Sequence, residues 1–300
     1  MNHSSKLKQF LFCTTIFFSI IIFPVEAGKK ILKIGAIPDQ NQEMLDRRFN
    51  LFARELSKKI GIKAKYVPVT NYIAAISAFR TNDLDLVWFG GLSGVQARLQ
   101  SKNAVVIAQR DIDKEFKSIF ILNKKIKLRK ARQLKDLQNL KNLRFTFGSE
   151  NSTSGRLMPE YFLNKAGLGI KDFHNGRVGF SGSHDSTIAL VNSGSYDAGA
   201  LNKNIWDKVS ENNPMRTKNI YVFYVSPEYV DYHWLVQGDL DKKFRKGLTK
   251  ELEEWILNLD RKTKTEKEIL DLFNANKFIQ ADASQYKKIE SIGRKLKKIR

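Results

Sequence analysis

The chain has 300 residues, and 52 Lys and Arg against 31 Asp and Glu give it a formal net charge of +21. A content of 42% hydrophobic and 28% charged residues is typical of a folded globular protein and excludes a disordered chain. The single cysteine, Cys13, excludes an intramolecular disulfide and a thiolate zinc site, and four histidines are few for a histidine-rich metal site.

The first 27 residues have the pattern of a secretory signal peptide. Lys6 and Lys8 precede an apolar run of 14 residues, 10–23, and the small-residue site 25–27 follows. The run is shorter than the roughly 20 residues that a membrane-spanning helix needs. We therefore predict cleavage after Ala27 and a periplasmic or otherwise extracytoplasmic location. An uncleaved membrane anchor is the alternative.

Strands and helices alternate from residue 31 to residue 117. Apolar residues from Leu45 to Ile60 recur at spacings of three and four and predict an amphipathic helix that ends at Gly61. Strands are predicted at 31–36, 66–69, 84–89 and 104–109, and further helices at 91–99 and at 73–79, the latter with an N-cap at Thr70 and buried Ile73, Ile76 and Phe79. This alternation indicates βαβ units and a mostly parallel sheet with helices on both faces.

A second block of the same kind follows. Strands are predicted at 118–122, 143–147, 177–180, 197–201 and 220–225, and helices at 155–165, at 185–191 and around Trp206. The remainder, 239–300, is predicted to be helical and rich in lysine. Two α/β blocks suggest two lobes with a cleft between them. We predict lobe I at 28–117 plus 226–300 and lobe II at 118–225.

The segment 145–155 is predicted to run from a strand through three adjacent hydroxyl residues, Ser152, Thr153 and Ser154, into a helix. We call residues 152–154 the hydroxyl turn. Ligands of open parallel sheets bind at the carboxyl ends of strands, where a helix N-terminus also presents free N–H groups. The turn is not a P-loop, because seven positions separate Gly148 from Gly155. Helix capping needs only one hydroxyl, so three in a row favour an oxyanion site over a cap alone.

Two further segments lie at similar positions. His184 stands between a predicted strand and a helix, where its ring can donate to an oxyanion while Asp185 caps the helix; a purely structural histidine is the alternative. Asp231 lies in the aromatic-rich loop 226–234, either as a solvated turn residue or as a buried acceptor for a ligand proton. Tyr72, Trp88 and Gly90 lie at the ends of lobe I elements, where we expect them to line the opposite wall.

Six motifs occur in one order along the chain: 35–39 (GAIPD), 67–72 (VPVTNY), 85–91 (DLVWFGG), 152–155 (STSG), 182–185 (GSHD) and 197–200 (DAGA). This succession resembles the periplasmic phosphate, phosphite and phosphonate-binding proteins of ABC importers, including a branch labelled as selenate binders, over nearly all of residues 31–280. The resemblance implies a type II periplasmic-binding-protein fold, in which two hinge strands join α/β lobes that close on one oxyanion.

The resemblance also implies roles for individual residues. In the family, the Ser-Thr-Ser turn and a histidine hold the oxyanion, which carries over to the hydroxyl turn and His184; the cleft tyrosine corresponds to Tyr72 and the late aspartate to Asp231. The chain departs from the family at two places. Gly94 stands where phosphonate binders tend to have a second tyrosine, and 202–204 lacks the carboxylate that meets an aminoalkyl group. A 2-aminoethyl ligand is therefore not expected.

We expect the ligand to be a small tetrahedral oxyanion of the phosphonate, phosphite or phosphate type, with selenate as the alternative. A carboxylate beside an anion is tolerable only when the ligand carries a proton, which phosphate-type groups with a second pKa of roughly 6 can supply. The expected partners are a cognate ABC permease and ATPase, with no cofactor, metal or nucleic acid, at most peripheral membrane contact, and a monomeric state.

Two other functions fit some of the same residues. Ser154, His184 and Asp231 could form the triad of a secreted hydrolase, although no G-x-S-x-G elbow is present. His184, Asp231 and His233 could hold a metal, which would make stability sensitive to chelators.

Overall fold

Two β-sheets organise residues 30–299, the part of the chain that the computed structural model describes. The first sheet has the order β11-β4-β10-β3-β1-β2 and the second β7-β6-β8-β5-β9. The strands are β1 Leu32–Ala36, β2 Ala64–Tyr66, β3 Leu86–Phe89, β4 Val105–Arg110, β5 Ser118–Asn123, β6 Phe145–Phe147, β7 Gly179–Phe180, β8 Ala198–Asn202, β9 Ile220–Val225, β10 His233–Val236 and β11 Phe278–Gln280. The predicted α/β architecture with two sheets is confirmed.

Helices pack against these sheets. They are α1 Gln42–Ile60, α2 Tyr72–Arg80, α3 Gly91–Leu99, α4 Met158–Lys165, α5 His184–Ser193, α6 Lys203–Asn212, α7 Leu240–Lys243, α8 Leu248–Leu257, α9 Lys264–Phe273 and α10 Lys287–Lys295. None of these helices is both long enough and apolar enough to cross a membrane. The predicted signal peptide lies outside the described residues.

Helix α1 shows why the apolar spacing predicts the fold well. Its residues at that spacing, from Leu45 to Ile60, are buried, and Phe52 stacks on Trp234 of the first sheet with 4.7 Å between ring centroids. Asn41 caps the helix by accepting a hydrogen bond from the Met44 N–H, and Gly61 ends it in the left-handed conformation with φ of 68°.

Helix α2 differs from its prediction in detail. Its N-cap is Asn71, whose side chain accepts a hydrogen bond from the Ala74 N–H at 2.8 Å, and not Thr70. Ile73 is 58% exposed, so it does not belong to the buried stripe. Tyr72, the first residue of the helix, is buried instead, and its hydroxyl lies beside the Ser152 side chain.

Both sheets are mixed rather than purely parallel. Strands β1 to β4 run in one direction, but β10 lies between β3 and β4 and is antiparallel to both, and β11 is antiparallel to β4. In the second sheet β5 is antiparallel to β8 and β9. Strand β10 is not predicted from the sequence, and β11 lies within 239–300, which is predicted to be helical. Strand β10 is fully buried and lacks an alternating pattern, so it is indistinguishable from an apolar loop by periodicity.

Two segments connect the lobes, and they run side by side. Phe116 and Tyr229 exchange backbone hydrogen bonds at 2.8 and 3.0 Å, and the Asp231 N–H donates to the Asp113 carbonyl at 3.1 Å. A buried ion pair between Arg110 and Asp113, with Nη2 and Oδ1 2.6 Å apart, fixes the start of the first segment. This arrangement matches the two hinge strands that the resemblance implies.

The two lobes touch across the cleft. The Leu92 N–H donates to Thr153 Oγ1 at 2.9 Å, and the His184 N–H donates to the Asp39 carbonyl at 3.0 Å. The structure is therefore that of a closed clamshell, with the carboxyl ends of β1 and β3 facing the N-termini of helices in the second lobe.

Candidate functional site

The polar residues predicted for the site meet in this closed cleft. All are nearly inaccessible to solvent, with 1% to 3% of their surface exposed: Tyr72, Ser152, Thr153, Ser154, His184 and Asp231. They come from four separate elements, namely the start of α2, the turn between β6 and α4, the start of α5 and the second hinge segment. Buried polar groups without partners are costly, so such a concentration is typical of a binding site.

The hydroxyl turn begins a short π-helix, Thr153–Leu157, that leads into α4. Ser152 Oγ caps it by accepting a hydrogen bond from the Gly155 N–H at 2.9 Å, while Thr153 Oγ1 accepts one from Leu92 across the cleft. A hydroxyl that accepts from an N–H still has its own hydrogen to donate. Ser152 therefore caps the helix, as the simpler prediction has it, and it still has a hydrogen to donate, whereas the Thr153 hydroxyl also lies within hydrogen-bond reach of Asp231.

Asp231 carries the only acidic side chain of the predicted set. Its Oδ1 accepts a hydrogen bond from the Gly91 N–H at 2.8 Å, whereas its buried Oδ2 has no hydrogen-bond partner among residues 30–299. Burial raises the pKa of Asp231 to about 7, although the Gly91 N–H and the Thr153 hydroxyl oppose the shift. Asp231 is thus a buried acceptor and not a solvated turn residue.

Gly90 allows these groups to approach one another. A β-carbon at this position would lie 3.3 Å from both Asp231 Oδ1 and Thr153 Oγ1. The absence of a side chain therefore lets the hinge carboxylate and the hydroxyl turn close over the N-terminus of α3. Gly90 thus lies beside Asp231 and Thr153, and its role in lining a ligand site stays a prediction.

His184 lies with its ring against the hydroxyl turn, since a β-carbon on Gly155 would be 3.2 Å from His184 Cε1. Its Nδ1 accepts a hydrogen bond from the Asn202 N–H at 3.4 Å, and its buried Nε2 has no partner among the described residues. Burial lowers the pKa of His184 to about 4, so the ring is neutral at pH 7. The N-cap of α5 is Ser183, so the prediction that Asp185 caps this helix is wrong.

Sequence reasoning missed Asp39, which follows β1. Asp39 is 2% exposed, its Oδ2 accepts a hydrogen bond from the Tyr232 hydroxyl at 2.8 Å, and its carbonyl holds the His184 N–H. Burial raises the pKa of Asp39, and the Arg48 guanidinium opposes the shift. The sequence did contain a signal for Asp39, because it follows the carboxyl end of a predicted strand, as the hydroxyl turn does.

Tyr72 and Trp88 occupy different depths. The Tyr72 hydroxyl is buried and makes no hydrogen bond of regular geometry in the described part of the chain. Burial, aided by the charge of Asp39, raises its pKa well above the usual value, and the nearby Ser152 side chain opposes the shift. The Trp88 ring lies behind the cleft, where it stacks on Tyr232 at 5.6 Å and packs against Trp234 at 5.3 Å. Trp88 therefore supports the wall from the core, and a direct contact with ligand stays a prediction.

The structure shows why position 94 is a glycine and not the tyrosine of phosphonate binders. A β-carbon there would lie 2.2 Å from His233 Nε2, so the imidazole of His233 fills the space beside this glycine. The His233 ring is 1% exposed and packs on Tyr286 with 4.2 Å between centroids. His233 is thus a core residue of β10 rather than part of the cleft.

The geometry does not assemble the two alternative sites. His184 Nδ1 faces the Asn202 amide, whereas Asp231 binds the Gly91 amide, so these two residues do not form the hydrogen bond that a triad needs. Within residues 30–299 no group of three or more His, Cys, Asp and Glu side chains is placed to hold a metal ion. A surface cavity of about 470 Å³ near Arg144 and His174 includes none of the predicted site residues.

Comparison with known proteins gives a consistent result. Residues 34–286 match the family described as "ABC transporter, phosphonate, periplasmic substrate-binding protein". The chain is 64% identical to the probable ABC transporter phosphite binding protein PhnD1 of Prochlorococcus marinus strain MIT 9301, over 98% of this chain and 99% of that protein. It is 28% identical to the phosphonates-binding periplasmic protein of Escherichia coli K12, over 89% of this chain and 78% of that protein.

A solved structure agrees with these relatives. The structure of Prochlorococcus marinus PhnD1 in complex with methylphosphonate superimposes with a TM-score of 0.90 at 66% identity, covering 90% of this chain and 100% of that one. The fold that the sequence motifs imply is confirmed by this match.

Proposed function

We propose, from the premise that the chain belongs to the periplasmic substrate-binding proteins of phosphonate ABC transporters, that it captures a small phosphorus oxyanion such as phosphite or methylphosphonate. As a member of that family it is a binding protein and not an enzyme, and it works with an ABC transporter. That it acts as a monomer, and with one dedicated permease and ATPase, belongs to the proposal, as does cleavage of the signal peptide after Ala27.

The ligand is held by neutral donors in this proposal. The hydroxyls of the hydroxyl turn and of Tyr72, together with His184 Nε2, replace the water shell of the anion when the lobes close. Each hydrogen bond to a charged acceptor contributes roughly 1.5–3 kcal/mol, so four or five of them suffice for micromolar or tighter binding. The cross-lobe bond between Leu92 and Thr153 ties this donor set to the closed state.

The unpartnered, buried Oδ2 of Asp231 carries the choice of ligand. A carboxylate oxygen can only accept, so an anion beside it must bring a proton or meet the protonated acid. Phosphorus oxyanions with a second pKa of roughly 6 exchange such a proton near neutral pH, whereas sulfate and selenate carry none to share. We therefore infer that phosphite, methylphosphonate or phosphate is preferred over selenate.

Calorimetry with phosphite, methylphosphonate, phosphate and selenate, side by side at pH 7, tests this function. We expect at least one phosphorus oxyanion to bind with micromolar or better affinity and selenate to bind much more weakly or not at all. Binding of selenate alone would overturn the argument from Asp231. A variant with residues 152–154 all changed to alanine should lose the phosphorus ligand; unchanged affinity in a folded triple variant would remove the hydroxyl turn from the site.

A further inference from the structure

We propose that the backbone amide of Asn202 fixes His184 as the tautomer with its proton on Nε2, which makes Asn202 a positioning residue for the oxyanion site. The proposal rests on the proposed function, because the proton on Nε2 matters only if an oxyanion binds there. Asn202 contributes through its main chain. It lies in the segment 202–204, where the resemblance implies a carboxylate that this chain lacks.

The contact lies within one lobe. The Asn202 N–H donates to His184 Nδ1 at 3.4 Å, while His184 Nε2 is buried without a partner in residues 30–299 and lies at the ring edge beside the hydroxyl turn. Asn202 ends β8 and His184 begins α5, and both elements belong to the second lobe. Opening of the cleft therefore leaves this contact in place, and the tautomer is set before a ligand arrives.

The sheet leaves the Asn202 amide free to make this contact. Asn202 faces Ser118 in the register of β5 and β8, but the Ser118 carbonyl accepts from the Ser226 N–H at 2.9 Å instead. The next amide, of Lys203, donates to the Lys117 carbonyl at 3.2 Å. The backbone hydrogen bonds between β5 and β8 therefore do not use the Asn202 N–H, which donates to the imidazole instead.

The Asn202 side chain holds that amide in position. Its Oδ1 accepts hydrogen bonds from the Asn204 N–H at 2.8 Å and the Ile205 N–H at 3.4 Å, and so caps α6. With φ of −66° and ψ of 123°, Asn202 is extended while the following residue is helical. The cap therefore fixes the direction of the peptide N–H that meets His184.

The chemistry of imidazole then allows one state. A neutral ring has one N–H and one lone pair, and a backbone N–H can only donate. Nδ1 must therefore carry the lone pair, and the proton must lie on Nε2. A doubly protonated ring would oppose two N–H groups at this contact. Asp185, the nearest acid along the chain, is engaged by the Asn41 amide and by Arg216. His184 is thus a neutral donor whose ring lies beside Gly155, at the end of the hydroxyl turn.

The tautomer can be read directly by NMR of the full chain labelled with ¹⁵N-histidine, with the His184 signals assigned by their loss in His184→Gln. We expect a protonated Nε2 and an unprotonated Nδ1 at pH 7, both in the free protein and with phosphite. A proton on Nδ1, or averaging between the two tautomers, would overturn the proposal. The free protein gives this readout even if phosphite fails to bind, so failure of the proposed function remains distinguishable.

Two pairs of variants complete the test. Gln at position 184 places an amide near Nε2, whereas Asn places it near Nδ1; we expect His184→Asn to bind phosphite at least about tenfold more weakly than His184→Gln. Asn202→Ala should remove the cap and produce averaged His184 signals, while Asn202→Ser, which keeps a capping oxygen, should retain the single tautomer. Equal and measurable affinities in the first pair would contradict the donor at Nε2, and identical spectra in the second pair would contradict the role of Asn202.

Discussion

Replacing Asp231 by asparagine tests the central feature of the site. Asparagine keeps an oxygen to accept from the Gly91 N–H, and it replaces the unpartnered Oδ2 by a neutral amide. In the folded protein the pKa of Asp231 is raised from 3.8 to about 7, so its charge is disfavoured by burial. A shift of that size corresponds to about 4 kcal/mol.

The sign of the pH dependence follows from the direction of the shift. Below pH 3.8 both folded and unfolded chains hold the proton, and Asp231 costs nothing. Between pH 3.8 and about 7 the unfolded chain releases the proton first, so the contribution of Asp231 to stability becomes more unfavourable as pH rises. We expect Asp231→Asn to be close to wild type at pH 4 and more stable than wild type by up to about 4 kcal/mol at pH 8.

Urea unfolding of the ligand-free protein at pH 4 and pH 8 measures this difference. Asp113→Asn is the matched contrast, because Asp113 is equally buried but is paired with Arg110. At pH 8, where Asp231→Asn is expected to stabilise, breaking that pair should instead destabilise the protein by about 3–5 kcal/mol. The same Asp231→Asn variant should gain affinity for selenate in calorimetry, since the acceptor-only oxygen is gone. An unchanged gap between wild type and variant across the pH range, together with unchanged selenate binding, would refute the reasoning.

Three other substitutions test neighbouring features. Thr153→Val leaves the buried Leu92 amide of α3 without its acceptor and should weaken phosphite binding by about 1–3 kcal/mol in calorimetry. Thr153→Ser keeps the hydroxyl and should bind normally; equal losses in the two variants would contradict the cross-lobe role. Gly94→Ala places a β-carbon 2.2 Å from the His233 ring and should lower unfolding stability by about 1–3 kcal/mol, while Gly169→Ala, with 3.7 Å of clearance, should be near neutral. The contribution of His184 to stability should fall as pH drops from 6.5 toward 4, because the unfolded chain protonates His184 first. The pH slopes of unfolding stability for wild type and His184→Gln should therefore differ by about one proton in this window, and parallel curves would refute the assignment.

The fold was largely predictable where one physical signal dominates. The 3.6-residue spacing of α1 and its Gly61 cap predict that helix well, because burial of one face decides its structure. Strands β10 and β11 escaped prediction for the opposite reason. Their pairing with β4 depends on residues more than a hundred positions away in sequence, and a short apolar stretch does not show which strands it will join.

The site divides in the same way. The hydroxyl turn and His184 were predictable because each follows the end of a predicted strand, and ligands of α/β sheets bind at those ends. The contributions of Asp39 and Asn202 were not visible, since they act on His184 through main-chain atoms that any residue type possesses. The reason for Gly94 likewise became clear only when β10 placed His233 beside it.

The buried charges around the cleft bear on the protonation state of the proposed anion site. Five buried charged groups influence one another here: Asp39, Asp113 and Asp231 against Arg48 and Arg110. With all of them ionised, acids exceed bases by one, so a dianion would add to an existing negative excess. A proton on Asp231 or on the ligand removes that excess, and His184 cannot supply it because the fold holds it neutral. The proton therefore belongs to the carboxylate and ligand together, which is the physical basis for preferring an oxyanion that titrates near neutral pH.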